Sequence, residues 1–170
     1  MNKRLPLIAG SFAVLTVLFA SSPDAEANFK RQHASSCFED SLQPLSIFQD
    51  QFLINTSESF LDFFVCAMPE DTSLRKDRVV RLNLIGVDET SIDSVFVRAC
   101  IGFSSGFGVQ CDPMVSNGPA ATMGPFTINV PHASWNTNNR LDFAYLLVQV
   151  PPFGLSFSGI SGFFAADING

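Results

Sequence analysis

Positive charge is scarce in this chain of 170 residues: ten Lys and Arg stand against sixteen Asp and Glu, giving a net charge of −6 with His neutral. Without a clustered basic field, nucleic acid and anionic membrane surfaces are disfavoured partners. Histidine is scarcer still, with only His33 and His132, and no C-x-x-C pair occurs. That spacing fits no familiar zinc-ligand pattern, so no metal or other cofactor is expected. Trp and Tyr occur once each, as Trp135 and Tyr145, against eighteen Phe. Such a composition predicts a core built on phenyl rings rather than an aromatic platform for sugars. No segment sustains helical periodicity, which excludes a helical domain. The apolar run from about Leu7 to Ala20 is broken by Gly10, Ser11 and Thr16. It falls short of the roughly 20 residues that a spanning helix needs.

What is present at the start of the chain is a secretory leader. Lys3 and Arg4 precede the short apolar run, and Ala25 and Ala27 stand in A-x-A spacing. This pattern predicts cleavage after Ala27, with residues 1–27 removed and the remainder secreted or periplasmic. The first cysteine, Cys37, lies too far from the apolar run to serve as a lipid anchor. Removing 27 of 170 residues leaves 143, the size of one domain with a real core. Residues 28–43 read as an irregular polar arm, and 44–170 as the folded domain.

Four cysteines, Cys37, Cys66, Cys100 and Cys111, make an even number in an oxidising compartment. Of the three possible pairings we favour Cys100 with Cys111, which closes a short loop, and Cys37 with Cys66, which ties the arm to the domain.

The domain itself reads as a succession of short strands. Phe60 to Pro69 is apolar and β-branched, with Leu61, Phe63, Val65 and Ala67 forming one continuous apolar face directed at the core and Asp62 on the other. Leu45 to Ile54 is strand-like at its end, with a helical turn over Pro44 to Gln51, and is expected to form a hairpin with the Phe60 strand. Strands follow over Arg78 to Val87 and Ile92 to Phe103, the latter alternating Val95, Val97, Ala99 and Ile101 against Arg98. Gly102 to Gly124 reads as loop, and Pro125 to Val130 as a short strand. Pro131 to Arg140 is a polar loop carrying Trp135, and Leu141 to Val150 is an apolar strand. A last strand, or pair of strands, lies within Ser156 to Ile168. Six to eight short strands with frequent turns predict an all-β antiparallel sandwich of jelly-roll or immunoglobulin-like type.

Three constellations could carry chemistry. Gly102-Phe103-Ser104-Ser105-Gly106 matches G-x-S-x-G, with Asp112 and His132 downstream in the order of an α/β hydrolase. An elbow of that kind needs a helix after it, and none is read there. Asp88, Glu89 and Asp93, or Glu70 and Asp71, could pair as glycosidase carboxylates. The set Asp88, Glu89 and Asp93 is also a calcium candidate, though its spacing matches no EF-hand loop. Asn55-Thr56-Ser57 is a formal glycosylation sequon, explained equally well as a turn.

Ile54-Asn55-Thr56-Ser57-Glu58-Ser59, followed by Val65-Cys66-Ala67-Met68-Pro69, resembles a group of small secreted bacterial proteins of uncharacterised activity. In that group an asparagine-bearing turn leads into a strand ending in cysteine and proline, and a second cysteine follows as Cys100 does here. The likeness runs from Phe52 to Val150. It departs at Ala67, where proline often follows the cysteine directly, and at Val150, where a third cysteine is often found. The resemblance implies a β-sandwich and an exported location, and transfers no functional residue. The expectation is an exported, non-enzymatic β-sandwich that binds an extracytoplasmic protein or glycan or builds an envelope surface. The rivals are a small secreted hydrolase using Ser104 or loop carboxylates, and an assembly subunit with an exposed edge strand within Ser156 to Ile168.

Overall fold

The computed structural model describes residues 29–40, 46–49, 52–57, 60–70, 74–89, 93–106, 108–118, 124–152 and 162–170. The leader expected over residues 1–27 lies outside them. Strands are numbered along the chain. Sheet A runs in the order β10 (Gly124–Asn129), β6 (Arg81–Asp88), β12 (Gly162–Asn169), β4 (Phe52–Asn55) and β3 (Ser46–Gln49), with β1 (Phe29–His33) also on β12. Sheet B runs in the order β2 (Phe38–Glu39), β5 (Asp62–Ala67), β11 (Phe143–Val150), β7 (Phe96–Gly102) and β8 (Val109–Cys111), with β9 (Val115–Ser116) also on β7. Every pairing is antiparallel. The expected all-β antiparallel sandwich is the fold observed, with twelve strands among the described residues where six to eight were expected.

Alternation along the strands builds the core. Leu82 and Leu84 of β6 are sealed from solvent, and so are Val97, Ala99 and Ile101 of β7 and Leu146 and Val148 of β11. Phe64 of β5 meets Phe163 of β12 edge to face, with ring centroids 5.7 Å apart. These contacts join the inner faces of the two sheets into one hydrophobic cluster. Trp135 belongs to that cluster too, because its indole Nε1 donates to the Cys100 carbonyl at 2.8 Å. The segment Pro131 to Arg140 is therefore not simply a polar loop: a short 3-10 turn over Ala133–Trp135 drives a large side chain inward.

The favoured disulfides, Cys37–Cys66 and Cys100–Cys111, are both formed. Cys100 and Cys111 face each other across the β7/β8 register. Neither bridge crosses between the sheets, unlike the inter-sheet disulfide of antibody domains. Residues within the expected irregular arm are held by regular pairing: β1 pairs with β12 over Phe29 to His33, and β2 with β5. The Arg31 guanidinium grips Asp167, its register partner, with both carboxylate oxygens engaged at 2.7 and 2.9 Å. The cross-strand ion pair supplies a lock that polar composition alone does not reveal.

Four expectations about elements are corrected. The helical turn over Pro44 to Gln51 contains instead strand β3, hairpinned to β4. The hairpin between β4 and β5 does not form, since β4 lies in sheet A and β5 in sheet B. Buried Asn55 turns the chain between the sheets: its amide donates to the carbonyls of Phe60 and Val150, and its oxygen accepts from the Ser57 amide. The sequon asparagine is thus a structural turn residue. The expected loop Gly102 to Gly124 contains β8 and β9. Finally, β12 is an inner strand of sheet A, flanked by β6 on one side and by β1 and β4 on the other, so it supplies no free edge, and residues 156–161 of the expected edge strand lie outside the described residues.

The orientation of β5 is the correction with most consequence. Asp62, Phe64 and Cys66 point inward and are buried, whereas Phe63 and Val65 are half-buried and Ala67 is exposed. The apolar odd positions face outward, opposite to expectation. Both faces of this strand are apolar, so its pattern does not choose between them; the Phe64 to Phe163 contact and the Cys66 disulfide do.

Candidate functional site

The two outer faces of the sandwich differ in chemistry. On sheet A, register places Arg31 beside Asp167 and Asp167 beside Asn83, a polar row. Outward polarity of this kind is the usual solvated face of an antiparallel sheet.

Sheet B presents the opposite. Successive cross-strand rows on its outer face read Phe143 and Gly102 with Val109, then Ala67 and Tyr145 with Cys100 and Cys111. The next rows read Phe38 and Val65 with Leu147 and Arg98, then Phe63 and Gln149 with Phe96 and Ser116. Phe38, Val109 and Phe143 are each more than half exposed, at 57%, 58% and 58%. A contiguous apolar face of this extent marks a surface that meets something other than water.

The rings within this face are arranged, not scattered. Phe143 and Tyr145, two residues apart on β11, stack with centroids 5.6 Å apart and planes 23° from parallel. Gly102 lies beneath Phe143, and a methyl group there would run into the ring. Glycine at this position therefore lets the ring lie flat across β7. Burial raises the Tyr145 hydroxyl above its ordinary titration range, while the neighbouring positive charge of Arg98 opposes that shift. The Arg98 Nε is buried and donates to no group among the described residues. This corrects the expected phenyl core: Phe64 and Phe163 are fully buried, but Phe29, Phe38, Phe60 and Phe143 are exposed. The outward rings lie on β1, β2 and β11 and just before β5, where composition alone does not say which side faces in.

At one end of this face lies a cleft of about 500 Å³ lined by Glu70, Arg75, Lys76, Arg78, Thr137, Asn138 and Arg140. Glu70 follows the end of β5 and Arg140 precedes the start of β11, and the Met68 amide bonds the Ala144 carbonyl to hold these strand ends together. Lys76 is buried and reaches Glu70 at 3.3 Å, and Arg75 pairs with Asp77 at 2.8 Å. Beside the cleft, Asp142 organises its loop. Its Oδ1 accepts the Ser104 amide at 2.9 Å and the Asn139 amide at 2.8 Å, and its Oδ2 accepts the Thr137 hydroxyl at 3.2 Å. The Ser104 amide above all, helped by the Ser104 and Thr137 hydroxyls and the Lys76 charge, holds the Asp142 carboxyl below its ordinary range against the opposing effect of burial.

The sequence candidates are not brought together. Ser104 sits in the turn between β7 and β8, and its hydroxyl donates to Asp142 at 3.0 Å. No helix follows it, so the G-x-S-x-G match is a hairpin turn and not a nucleophile elbow. Asp112 accepts the Ser134 amide at 2.9 Å. Both ring nitrogens of His132 face backbone carbonyls, those of Val130 and Val79, each at 3.0 Å. Asp88 is buried at the end of β6 and accepts the Asn117 amide at 2.7 Å, whereas Glu89 is exposed. Among the described residues no group of three or more His, Cys, Asp or Glu is gathered closely enough to hold a metal ion, so Asp88, Glu89 and Asp93 form no ligand set. Glu70 binds Lys76, and Asp71 lies outside the described residues. Asp142 carries no motif, and only its position before an apolar strand hinted at it.

No protein-family model matches the chain, and no curated protein matches it. Among solved structures it is similar in outline to the xylan-binding module CBM15, at 10% identity and a TM-score of 0.45, over 84% of this chain and 97% of that one. It is also similar to a family two carbohydrate esterase from Cellvibrio japonicus, at 12% identity and a TM-score of 0.43. That likeness covers 85% of this chain but only 34% of the esterase, so the chain spans about a third of that protein's length.

Proposed function

We propose that this protein is an exported, non-enzymatic binding module whose ligand is a glycan lying across the outer face of sheet B. The observation that carries this reading is the stacked Phe143 and Tyr145 pair within an apolar face bordered by Arg98 and Gln149. A sugar ring has apolar C–H faces and a rim of hydroxyls. Flat exposed rings match the former, and the Tyr145 hydroxyl, Arg98 guanidinium and Gln149 amide match the latter. Export rests on the leader over residues 1–27 and on two disulfides with no free cysteine, a state that persists outside the cytoplasm. No helix among the described residues is long and apolar enough to cross a membrane.

Substituting Phe143→Ala or Tyr145→Ala should weaken binding to insoluble plant or bacterial polysaccharides by about tenfold or more in pull-down and calorimetric titration, since a lost ring contact of this size exceeds 1.4 kcal/mol. Undiminished binding by both variants contradicts the reading. Ser104→Ala should leave any hydrolytic background unchanged, because its hydroxyl is committed to Asp142.

A further inference from the structure

We infer that the cleft at the end of sheet B is an anion subsite, and that the glycan it serves is acidic, its carboxylate held by Arg78 and Arg140. This inference rests on the glycan reading of the adjoining face. The whole chain carries ten Lys and Arg against sixteen acids, yet Arg75, Lys76, Arg78 and Arg140 all line this one cleft. Two of them are already occupied: Arg75 by Asp77 and Lys76 by Glu70. Arg78 and Arg140 remain, both exposed and without an acidic partner among the described residues. A guanidinium presents a planar fork that matches a carboxylate, and two forks facing one cleft suit one such group.

The placement links this subsite to the aromatic rows. Arg140 lies three residues before Phe143 on the same run of chain. Glu70 lies three residues beyond Ala67, which is in register with Tyr145. A chain of sugars stacked on Phe143 and Tyr145 thus reaches the cleft at the next residue or two. Buried Lys76, bound to Glu70, fixes the wall of the cleft. The exposed pair then supplies the attraction that varies with salt.

The test compares the mature protein with the double variant Arg78→Gln, Arg140→Gln, using polygalacturonate as the carboxylated probe, dextran sulfate as the sulfated one and xylan and β-glucan as neutral ones. Wild type should prefer polygalacturonate to the neutral probes. The double variant should lose about tenfold in affinity for polygalacturonate alone, with wild-type binding weakening as salt rises. Both positions are exposed, so the thermal midpoint should not move, and this controls for folding. Equal polygalacturonate affinity in both proteins overturns the inference, and if neutral glycans still bind through Phe143 the parent reading survives. Loss of dextran sulfate binding with no polygalacturonate binding overturns the carboxylate assignment. If Arg78 and Arg140 matter while Phe143→Ala does not, the anion subsite stands and the aromatic platform falls.

Discussion

At the residue scale the most exposed weakness of the fold is a buried carboxyl. Asp62 is sealed inside β5, where burial first and the nearby Glu39 charge second push its titration up to about 6, against the help of the Phe63 amide. In the unfolded chain the same group titrates near ~3.9. Between about pH 4 and pH 6 the folded state therefore holds more protons than the unfolded one, and stability falls as pH rises through that window. The loss is on the order of 1 kcal/mol once screening by neighbouring polar groups is allowed for. Asp62→Asn keeps an oxygen for the Phe63 amide and removes the charge beside Glu39. Urea unfolding of this variant should give higher stability at pH 7 and a flatter profile between pH 4 and pH 6. A variant weaker than wild type at pH 7 would show that the ionised carboxylate is the favoured form.

At the element scale the two disulfides secure different things. Cys37–Cys66 closes a separation of 29 residues and anchors β2, and Cys100–Cys111 closes 11 residues within the β7/β8 hairpin. By loop entropy alone, removing them should cost about 3.5 and about 3 kcal/mol. Paired Cys→Ser variants, compared by denaturant midpoint, should both be destabilised, the Cys37/Cys66 pair slightly more. The reverse order would mean that the short hairpin carries more than chain entropy. These pairings were legible because four cysteines leave only three ways to pair. The alternation in β7 was equally legible, since Arg98 alone interrupts an apolar strand and marks its outer side. Two apolar faces made β5 illegible, and only the tertiary contacts of Phe64 and Cys66 settle it. The strands β1 and β2 were hidden for a different reason: they are polar, and gain their order from partners far along the chain, as Arg31 does from Asp167.

At the scale of the whole molecule, the sandwich is asymmetric. One outer face carries the polar row of Arg31, Asp167 and Asn83 beside exposed Phe29, and the other carries Phe38, Phe63, Val65, Phe96, Phe143, Tyr145 and Leu147 in adjoining rows. The all-β class was readable from period and turns, but this asymmetry was not, because it depends on which side of each strand faces in. The candidate site is correspondingly hard to read in the sequence: Ser104, Asp112 and His132 are reactive residue types, whereas the face that stands out is built from ordinary strand residues. A second copy of the chain would compete for the same face, and would appear as concentration-dependent dimerisation relieved by Phe143→Ala. The most direct measurement is an amide chemical-shift titration of the mature protein with oligogalacturonate. Our account predicts saturable shifts concentrated on β11 and on its row partners in β5 and β7, centred on Phe143 and Tyr145, with sheet A unmoved. Shifts centred on the Arg31, Asp167 and Asn83 face of sheet A, or no shifts at saturating ligand, would contradict it.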